Sequence, residues 1–513
     1  MSKKIVIDPI TRIEGHLKVE LHIENGVVVD AKSSGLLFRG LETILKNRDP
    51  RDANQITQRV CGVCPQAHAS ASSMCLDDAF GVRDSIPENA RLIRNLIHSS
   101  NHIHNSILHF YHLALLDYMD VTNVKTDNPQ VGIVLNFLKR EEKGPFIPRE
   151  EGDFRFPVEI NQRLLSNYLK ALDMRRVAHE MLAVFGGKMP HSCGIVPGGV
   201  NTRPDSGRIS NFLGRVLEVR DFIKNDYWED VKTLVKFYPE YLEIGAGCKK
   251  FLAFGAFDLE GKGDYLERKR FHPSGITDEK LQWEPLNGKN ITESVHSSWY
   301  EGKTTYPGDG QTCPKRVKDG YSWIKSPRYN GRAYEVGPLA RTLIAYARKS
   351  EPVYSLVESR MKEISVDAKK LISVMGRHIS RAIEAQLLIE ETISWTKAIK
   401  ETGDYVAAYQ LPEESTGAGF SEAARGAVGH WIKIKNRKIQ NYQIISPSTW
   451  NMSPKDENGN PGPLEQSLIG TKVRNEENPV EVLRIVRSFD PCLACAVHIL
   501  DRKNLTVKNC ILI

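Results

Sequence analysis

Two cysteine pairs constrain this chain more than any other feature. "RVCGVCPQAH" carries Cys61 and Cys64, and "DPCLACAVH" carries Cys492 and Cys495. Each is a Cys-x-x-Cys pair with a histidine close behind, His68 and His498. Such a turn points two thiolates at one place, so two turns acting together supply four sulfurs, a set suited to zinc, nickel or iron. A shared site would bring the two ends of a 513-residue chain to one point. Three readings follow from the residues alone. A compact zinc module spaces its pairs roughly 15–20 residues apart. Here positions 65 to 491, 427 residues, lie between them, which excludes the small module but not a long-range zinc site. A redox dithiol belongs in a βαβ setting that neither pair has. The third reading is a catalytic soft-metal site built from both ends. Spacing does not decide among the three.

The remaining cysteines, 75, 193, 248, 313 and 510, show no iron–sulfur spacing. They read as buried small apolar residues, Cys193 in "PHSCGIVPGGV" included. An odd total of nine in so long a chain argues against a disulfide scaffold. The charge of +7, from 70 basic and 63 acidic residues, is nearly balanced and leaves no nucleic-acid footprint. No stretch reaches the ~20 apolar residues of a membrane span. "MSKKIVIDPITRIEGH" lacks the long apolar run of a signal peptide.

Alternation of Leu17, Val19, Leu21 and Ile23, then Asn25-Gly26, then Val27 and Val29 predicts an N-terminal β-hairpin. Residues 52–80 fit helix with a break at "CGVCP", Pro65 opening a new helix. Apolar spacing predicts helices over 88–119, 161–186, 208–237 and 354–399, the last continuous apart from Gly376. Residues 245–335, rich in Gly, Pro and aromatics, predict short strands and long loops, and 451–463 a further loop. The expected fold class is mainly α with β decorations (α+β): one long helical core, an N-terminal hairpin and a loop-rich β insert. Histidines 98, 102, 104, 109 and 112 share one helix. His98 and His102 could face one way and His109 and His112 another, but packing or partner-facing histidines are the stronger reading than a second metal site.

Several motifs then converge. "DPITRIEGHLKVE", "FRGLE", "RDPRDA", "RVCGVCPQAHA", "HFYHL", "HSSWY", "YSWIKSPRY…EVGPLAR", "EAARGAVGHW", "NYQIISPSTWN" and "DPCLACAVH" run through the whole length. In this order they resemble the large, catalytic subunit of nickel–iron hydrogenases of the uptake, respiratory type. The related quinone-reductase subunit of respiratory complex I lacks the four cysteines.

The resemblance implies H2 ⇌ 2H+ + 2e− at a nickel–iron centre with carbon monoxide and cyanide ligands on iron. Cys64 and Cys495 would bridge the metals, and Cys61 and Cys492 would be terminal on nickel. It implies Cys492 as proton acceptor, Glu14 as the next relay and Arg425 as the guanidinium over the metals. His68 would hydrogen-bond a bridging sulfur, Ser448 would donate to a cyanide, and Asp490 would sit near Arg425. Glu42, His498 and the carbonyl of Ile444 would hold a magnesium-type ion. Two positions depart from the family pattern: Ala424 stands where proline is common, and Asn105 where aspartate is common. Asn105 cannot carry charge, so Arg425 is expected to lose an electrostatic partner.

With no iron–sulfur cluster on this chain, the resemblance implies a small subunit that carries the clusters, as a heterodimer or higher oligomer. It also implies nickel-insertion factors and a maturation protease that cuts after His498. Residues 1–498 would then be a single large-subunit domain, and 499–513, Cys510 included, a removable C-terminal peptide of a precursor. The expected location is the periplasm or outer face of the membrane, reached by co-export and held only through partners, with a cytoplasmic location left open. The rival readings are a structural four-cysteine zinc protein and a non-catalytic subunit of complex-I type.

Overall fold

The computed structural model describes residues 2–125, 127–138 and 152–496. His498, Cys510 and the 499–513 segment lie outside the described residues. β1 (Ser2–Ile7), β2 (Leu17–Glu24) and β3 (Val27–Gly35) form an antiparallel meander. Leu17, Val19, Leu21 and Ile23 are buried on one face, as their alternation requires. Asn25 and Gly26 make the two-residue turn at φ 51° and 76°. The expected hairpin is present, and β1 adds an edge strand to it.

The central helices are α1 (Pro65–Ala79), α2 (Glu88–Ile107), α3 (Val158–Gly186), α4 (Ser206–Phe222) and α5 (Val374–Ala398). α2 packs on α3 and α5, and α4 packs on the same two. Leu96, Ile103, Met181, Val216, Ile379 and Ile383 belong to the shared core. Beyond Ile107 the α2 chain continues as a π-helical turn, Leu108–Ala114, so helix extends as its spacing predicts but changes pitch.

The 354–399 run is not one helix. Val353–Ile364 ends at Ser365, which is left-handed (φ 56°), and Ala368–Leu371 is a 3-10 turn. α5 starts after Ser373, whose Oγ accepts the Gly376 N–H at 3.0 Å. A Cβ on Gly376 would lie 1.7 Å from the Leu371 carbonyl oxygen. Apolar spacing runs through this break, while the capping side chains of Asp367 and Ser373 make it. The 245–335 region holds three two-stranded ladders among loops, as expected.

A sheet that the sequence reading passed over completes the frame: β4 (Glu414–Ala423), β5 (Gly426–Lys435) and β6 (Lys438–Ile445), all antiparallel. Most of β5 is buried on both faces, which erases the alternation that betrays a half-exposed strand. α1 lies against β4 and β5. In that seam Leu45, Val60, Ile432, Tyr442 and Ile444 form a second apolar cluster that includes all four motif cysteines.

The other cysteines do not share one fate. Cys75 is buried, but Cys248 is half-buried, and Cys193 and Cys313 are exposed. In the turn around Cys193, Ser192 and Gly194 take the buried places and Cys193 points outward between them. Among the described residues, no helix is long and apolar enough to cross a membrane.

Candidate metal centre

The first cysteine turn follows a 3-10 turn, Gln58–Val60. The backbone N–H groups of Val63 and Cys64 point back at the Cys61 sulfur, at 3.2 and 3.4 Å, and Pro65 opens α1 directly after Cys64. The second turn follows Asp490, left-handed at φ 58°, and leads into the short helix Leu493–Ala496. Sulfur separations are 3.4 Å (Cys61–Cys492), 3.8 Å (Cys64–Cys492), 3.2 Å (Cys64–Cys495) and 2.9 Å (Cys492–Cys495). All four ligand atoms lie within 4.8 Å of one another, too far for disulfides and close enough to share one metal group. Burial pushes the Cys492 and Cys495 thiols well up, while hydrogen bonds, first from Cys492, hold Cys61 well down. Four sulfurs buried together could all ionise only with a cation among them, and the donor set fits a soft metal.

Glu14 ties the two ends together. Its N–H donates to the Pro491 carbonyl (3.2 Å), and its own carbonyl accepts the Leu493 N–H (2.8 Å). Its carboxylate Oε2 accepts the Ala494 N–H at 2.9 Å and the Cys492 thiol at 3.1 Å. Burial, then the charge of Cys61, raises its pKa. Gly15 follows with φ 82°, where a Cβ would stand 2.7 Å from that of Leu493. Arg39 makes a second tie: its guanidinium donates to the carbonyls of Arg59 (3.1 Å), Val60 and Ala494 (3.3 Å), so one side chain binds both cysteine turns.

Arg425 sits in the turn between β4 and β5. Its Nη1 donates to Asn105 Oδ1 (2.7 Å), its Nε to the Asp490 carbonyl (3.0 Å), and its Nη2 lies 2.9 Å from Asp490 Oδ1. Arg341 holds that turn by donating to the carbonyls of Ala423 (2.9 Å) and Ala424 (3.0 Å) while pairing with Glu422 and Glu384. Asn105 remains a partner of Arg425, a neutral one. Its Nδ2 donates to the carbonyls of Val63 (3.2 Å) and Asn101 (2.7 Å).

A family profile described as nickel-dependent hydrogenase matches residues 39–135 and 132–498, and one described as HoxL-like matches 4–34. The chain belongs to the nickel-dependent hydrogenase family. It is 41% identical to the periplasmic [NiFeSe] hydrogenase large subunit of Desulfomicrobium baculatum, over 97% of this chain and 95% of that one. It is 35% identical to the quinone-reactive Ni/Fe-hydrogenase large chain of Wolinella succinogenes, over 98% of this chain and 97% of the other. The solved [NiFeSe] hydrogenase of Desulfovibrio vulgaris Hildenborough superposes with a TM-score of 0.87 at 39% identity, covering 97% and 100% of the two chains. The expected large-subunit fold and enzyme class hold. This hydrogenase chain is the catalytic subunit that oxidises H2, and its family implies a small-subunit partner. The names of the Desulfomicrobium and Desulfovibrio proteins include selenium; here all four candidate ligands are cysteine.

Around the hydrogenase centre the other expected residues fall as follows. Ser448 Oγ accepts the Cys492 N–H at 2.8 Å, which leaves its own hydroxyl proton to donate elsewhere. His68 is buried, and burial lowers its pKa to about 4; its Nδ1 lies 3.1 Å from His430 Nε2. Glu42 is buried, its Oε1 accepting the Ile444 N–H at 2.9 Å and its Oε2 the Thr312 hydroxyl. Lys325 Nζ stands 3.5 Å from Glu42 and 3.3 Å from Glu293, and donates to Gln443 Oε1 at 3.0 Å. Burial pushes Glu293 up to about 7. Arg39, Lys325, His430 and Tyr442 escaped the sequence reading although all four lie inside quoted motifs: each is a single polar residue with no partner at motif spacing.

The five histidines of the 98–112 run are all buried. His98 and His102 meet the Glu422 carbonyl at 2.7 and 3.0 Å, and His109 meets that of Arg487 at 2.6 Å. Among the described residues, the four cysteines are the one group of three or more His, Cys, Asp or Glu side chains placed to hold a metal. The histidines therefore pack.

Proposed function

We propose that the four cysteines hold a nickel–iron centre and that Glu14 moves protons to and from it. The observation that carries this reading is the contact of the Glu14 carboxylate with Cys492 inside a four-sulfur cluster. Cys61 and Cys492 would be terminal on nickel and Cys64 and Cys495 bridging, with carbon monoxide and cyanide on iron. When bound, the group supplies a redox-active Lewis acid at which H2 is polarised and its two electrons are taken up.

The chain's own residues do the rest. Cys492 accepts the proton, and Glu14, 3.1 Å away, takes it on. Burial raises its pKa, the direction that favours a group taking a proton as well as releasing one. Arg425, fixed by Asn105 and Asp490, presents a buried positive charge that stabilises charge developing over the centre. Ser448 would donate to a cyanide, and His68 to a bridging sulfur. Glu42, the Ile444 carbonyl and His498 would hold a magnesium-type ion.

Electrons would leave to an iron–sulfur small subunit. Nickel-insertion factors and a protease that cuts after His498 would mature the chain, leaving 1–498 as one domain. The family match ends at residue 498, which supports that boundary. The periplasmic relative supports a place in the periplasm or at the outer membrane face, held through partners.

Glu14→Gln tests the relay. Glutamine keeps an oxygen for the Ala494 N–H but cannot carry the proton. H2/D2O exchange is expected to fall at least about 100-fold with nickel content unchanged; exchange at the parent rate would end the assignment. Mass spectrometry of active enzyme is expected to show a chain ending at His498, and an intact C-terminus would refute the cut.

A further inference from the structure

The turn that carries Arg425 does not hold itself. β4 and β5 pair as far as Ala423 and Gly426, so Ala424 and Arg425 form a two-residue hairpin loop. Loops of this length favour two forms, both with a positive φ at the first central residue, because that twist matches the strands. Ala424 has no positive φ, and neither has Arg425. The place of the Arg425 side chain therefore depends on what grips the loop from outside.

The grip comes from the helix Pro338–Ala347. Gly426 (φ 132°) lies so near its start that a Cβ would stand 2.5 Å from Val336 Cγ2 and 2.7 Å from the Gly337 nitrogen. A Cβ on Gly337 would stand 3.1 Å from the Arg425 carbonyl oxygen. One turn further along, Arg341 is fully buried, and all five of its N–H bonds are used. Nε and Nη2 donate to the two oxygens of Glu384 on α5, at 2.6 and 2.7 Å. Nη1 donates to Glu422 Oε2 on β4 at 2.7 Å. The last two N–H bonds go to the carbonyls of Ala423 (2.9 Å) and Ala424 (3.0 Å). The carbonyl of Glu422 is met by His98 (2.7 Å) and His102 (3.0 Å). Three successive carbonyls thus end on side chains from other elements, and the next residue is Arg425. Burial works against the Arg425 charge, and Asp490, Cys492, Cys64 and Cys61 more than offset it, which sets the guanidinium among the candidate ligands. A lysine in place of Arg341 would bring the same charge, but its donors spread from one nitrogen and cannot span two carboxylates and two carbonyls.

We infer that Arg341 is a positioning residue for Arg425: it fixes the β4–β5 loop to the helix Pro338–Ala347 and to α5, and so sets where the Arg425 guanidinium stands beside the cysteine cluster. The inference rests on the proposed role of the Arg425 charge at that cluster. Arg341 spends all its donors on Glu384, Glu422 and the loop, so its effect on the chemistry passes through Arg425.

The test is a double-mutant cycle on the purified heterodimer with Arg341→Lys and Arg425→Gln. H2/D2O exchange is measured per nickel bound, and the infrared bands of the iron's diatomic ligands are recorded beside it. Arg425→Gln is expected to lower exchange about 100-fold and Arg341→Lys about 10-fold. The double variant is expected to be no slower than Arg425→Gln and to share its bands, because a displaced loop costs nothing more once the guanidinium is gone. A double variant slowed by the product of the two single effects, or with bands shifted beyond those of Arg425→Gln, would overturn the inference and leave Arg341 a packing residue. Parent exchange in Arg341→Lys would overturn it too. Parent exchange in Arg425→Gln would overturn the role of Arg425 beneath it. Should Arg341→Lys fail to fold, Glu384→Gln takes its place in the cycle: it keeps Arg341 and loosens only the carboxylate that aims it, and the same outcomes decide.

Discussion

Asn105 shows how one polar side chain is matched to its neighbours at both ends. Its oxygen accepts from Arg425, and its nitrogen donates to two carbonyls, one of them Val63 between the first two cysteines. In Asn105→Asp the second oxygen would face those carbonyls with a lone pair where a donor stood. The gain is a charge opposite Arg425. The cost is two lost donations in a buried place, about 1–3 kcal/mol for groups left unpaired. The thermal melting temperature of Asn105→Asp is expected to lie below the parent's at about pH 7, where the new carboxyl is ionised. A variant as stable as the parent would show that Asn105's donations carry no weight. At this scale the sequence is informative where chemistry needs a spacing: the cysteine pairs announce themselves. It is silent where one arginine or tyrosine is recruited from afar, as with Arg39 and Tyr442, because nothing local marks a long-range hydrogen bond.

Between elements, the centre depends on one close approach. The Glu14–Gly15 segment and the Pro491–Ala494 segment meet backbone to backbone. Gly15→Ala would place a methyl 2.7 Å from Leu493 Cβ and 2.9 Å from the Ala494 nitrogen, at a φ of 82° that alanine resists. Left-handed backbone and overpacking together cost about 2–5 kcal/mol. The second cysteine turn would be pushed off the first. Nickel per chain is expected to fall to a small fraction of the parent's by elemental analysis, with helical circular dichroism unchanged, since the methyl meets only Leu493 and Ala494. Full nickel occupancy would show that the seam tolerates the methyl. The same contrast explains which elements could be read from sequence. β2 and α3 show their period because each has a wet face and a dry face. Most of β5 and the second half of β4 do not, being buried on both, and the break before α5 is made by capping hydroxyl and carboxylate groups that leave apolar spacing intact.

For the whole molecule, the buried histidines of α2 and its π-helical continuation tie stability to pH. Burial lowers His98 and His112 to about 4, and holds His102, His104 and His109 well below their ordinary value. In the unfolded chain each returns to about 6.5. Between those values the unfolded chain holds more protons than the folded one, so stability falls as pH falls through that window. Glu293, Glu422 and Glu465 oppose this: burial raises each to about 7, so their contribution is present in acid and lost as pH rises through 7. His98→Gln isolates one contributor. A glutamine amide can still donate to the Glu422 carbonyl that His98 Nε2 meets at 2.7 Å, but it does not titrate. Each titrating group adds about 1.4 kcal/mol per pH unit inside its window. His98→Gln is therefore expected to match the parent near pH 7 and to exceed it by roughly 2 kcal/mol near pH 5, measured by urea unfolding at the two pH values. A variant that loses stability on acidification as steeply as the parent would show that His98 does not gain its proton on unfolding in this range.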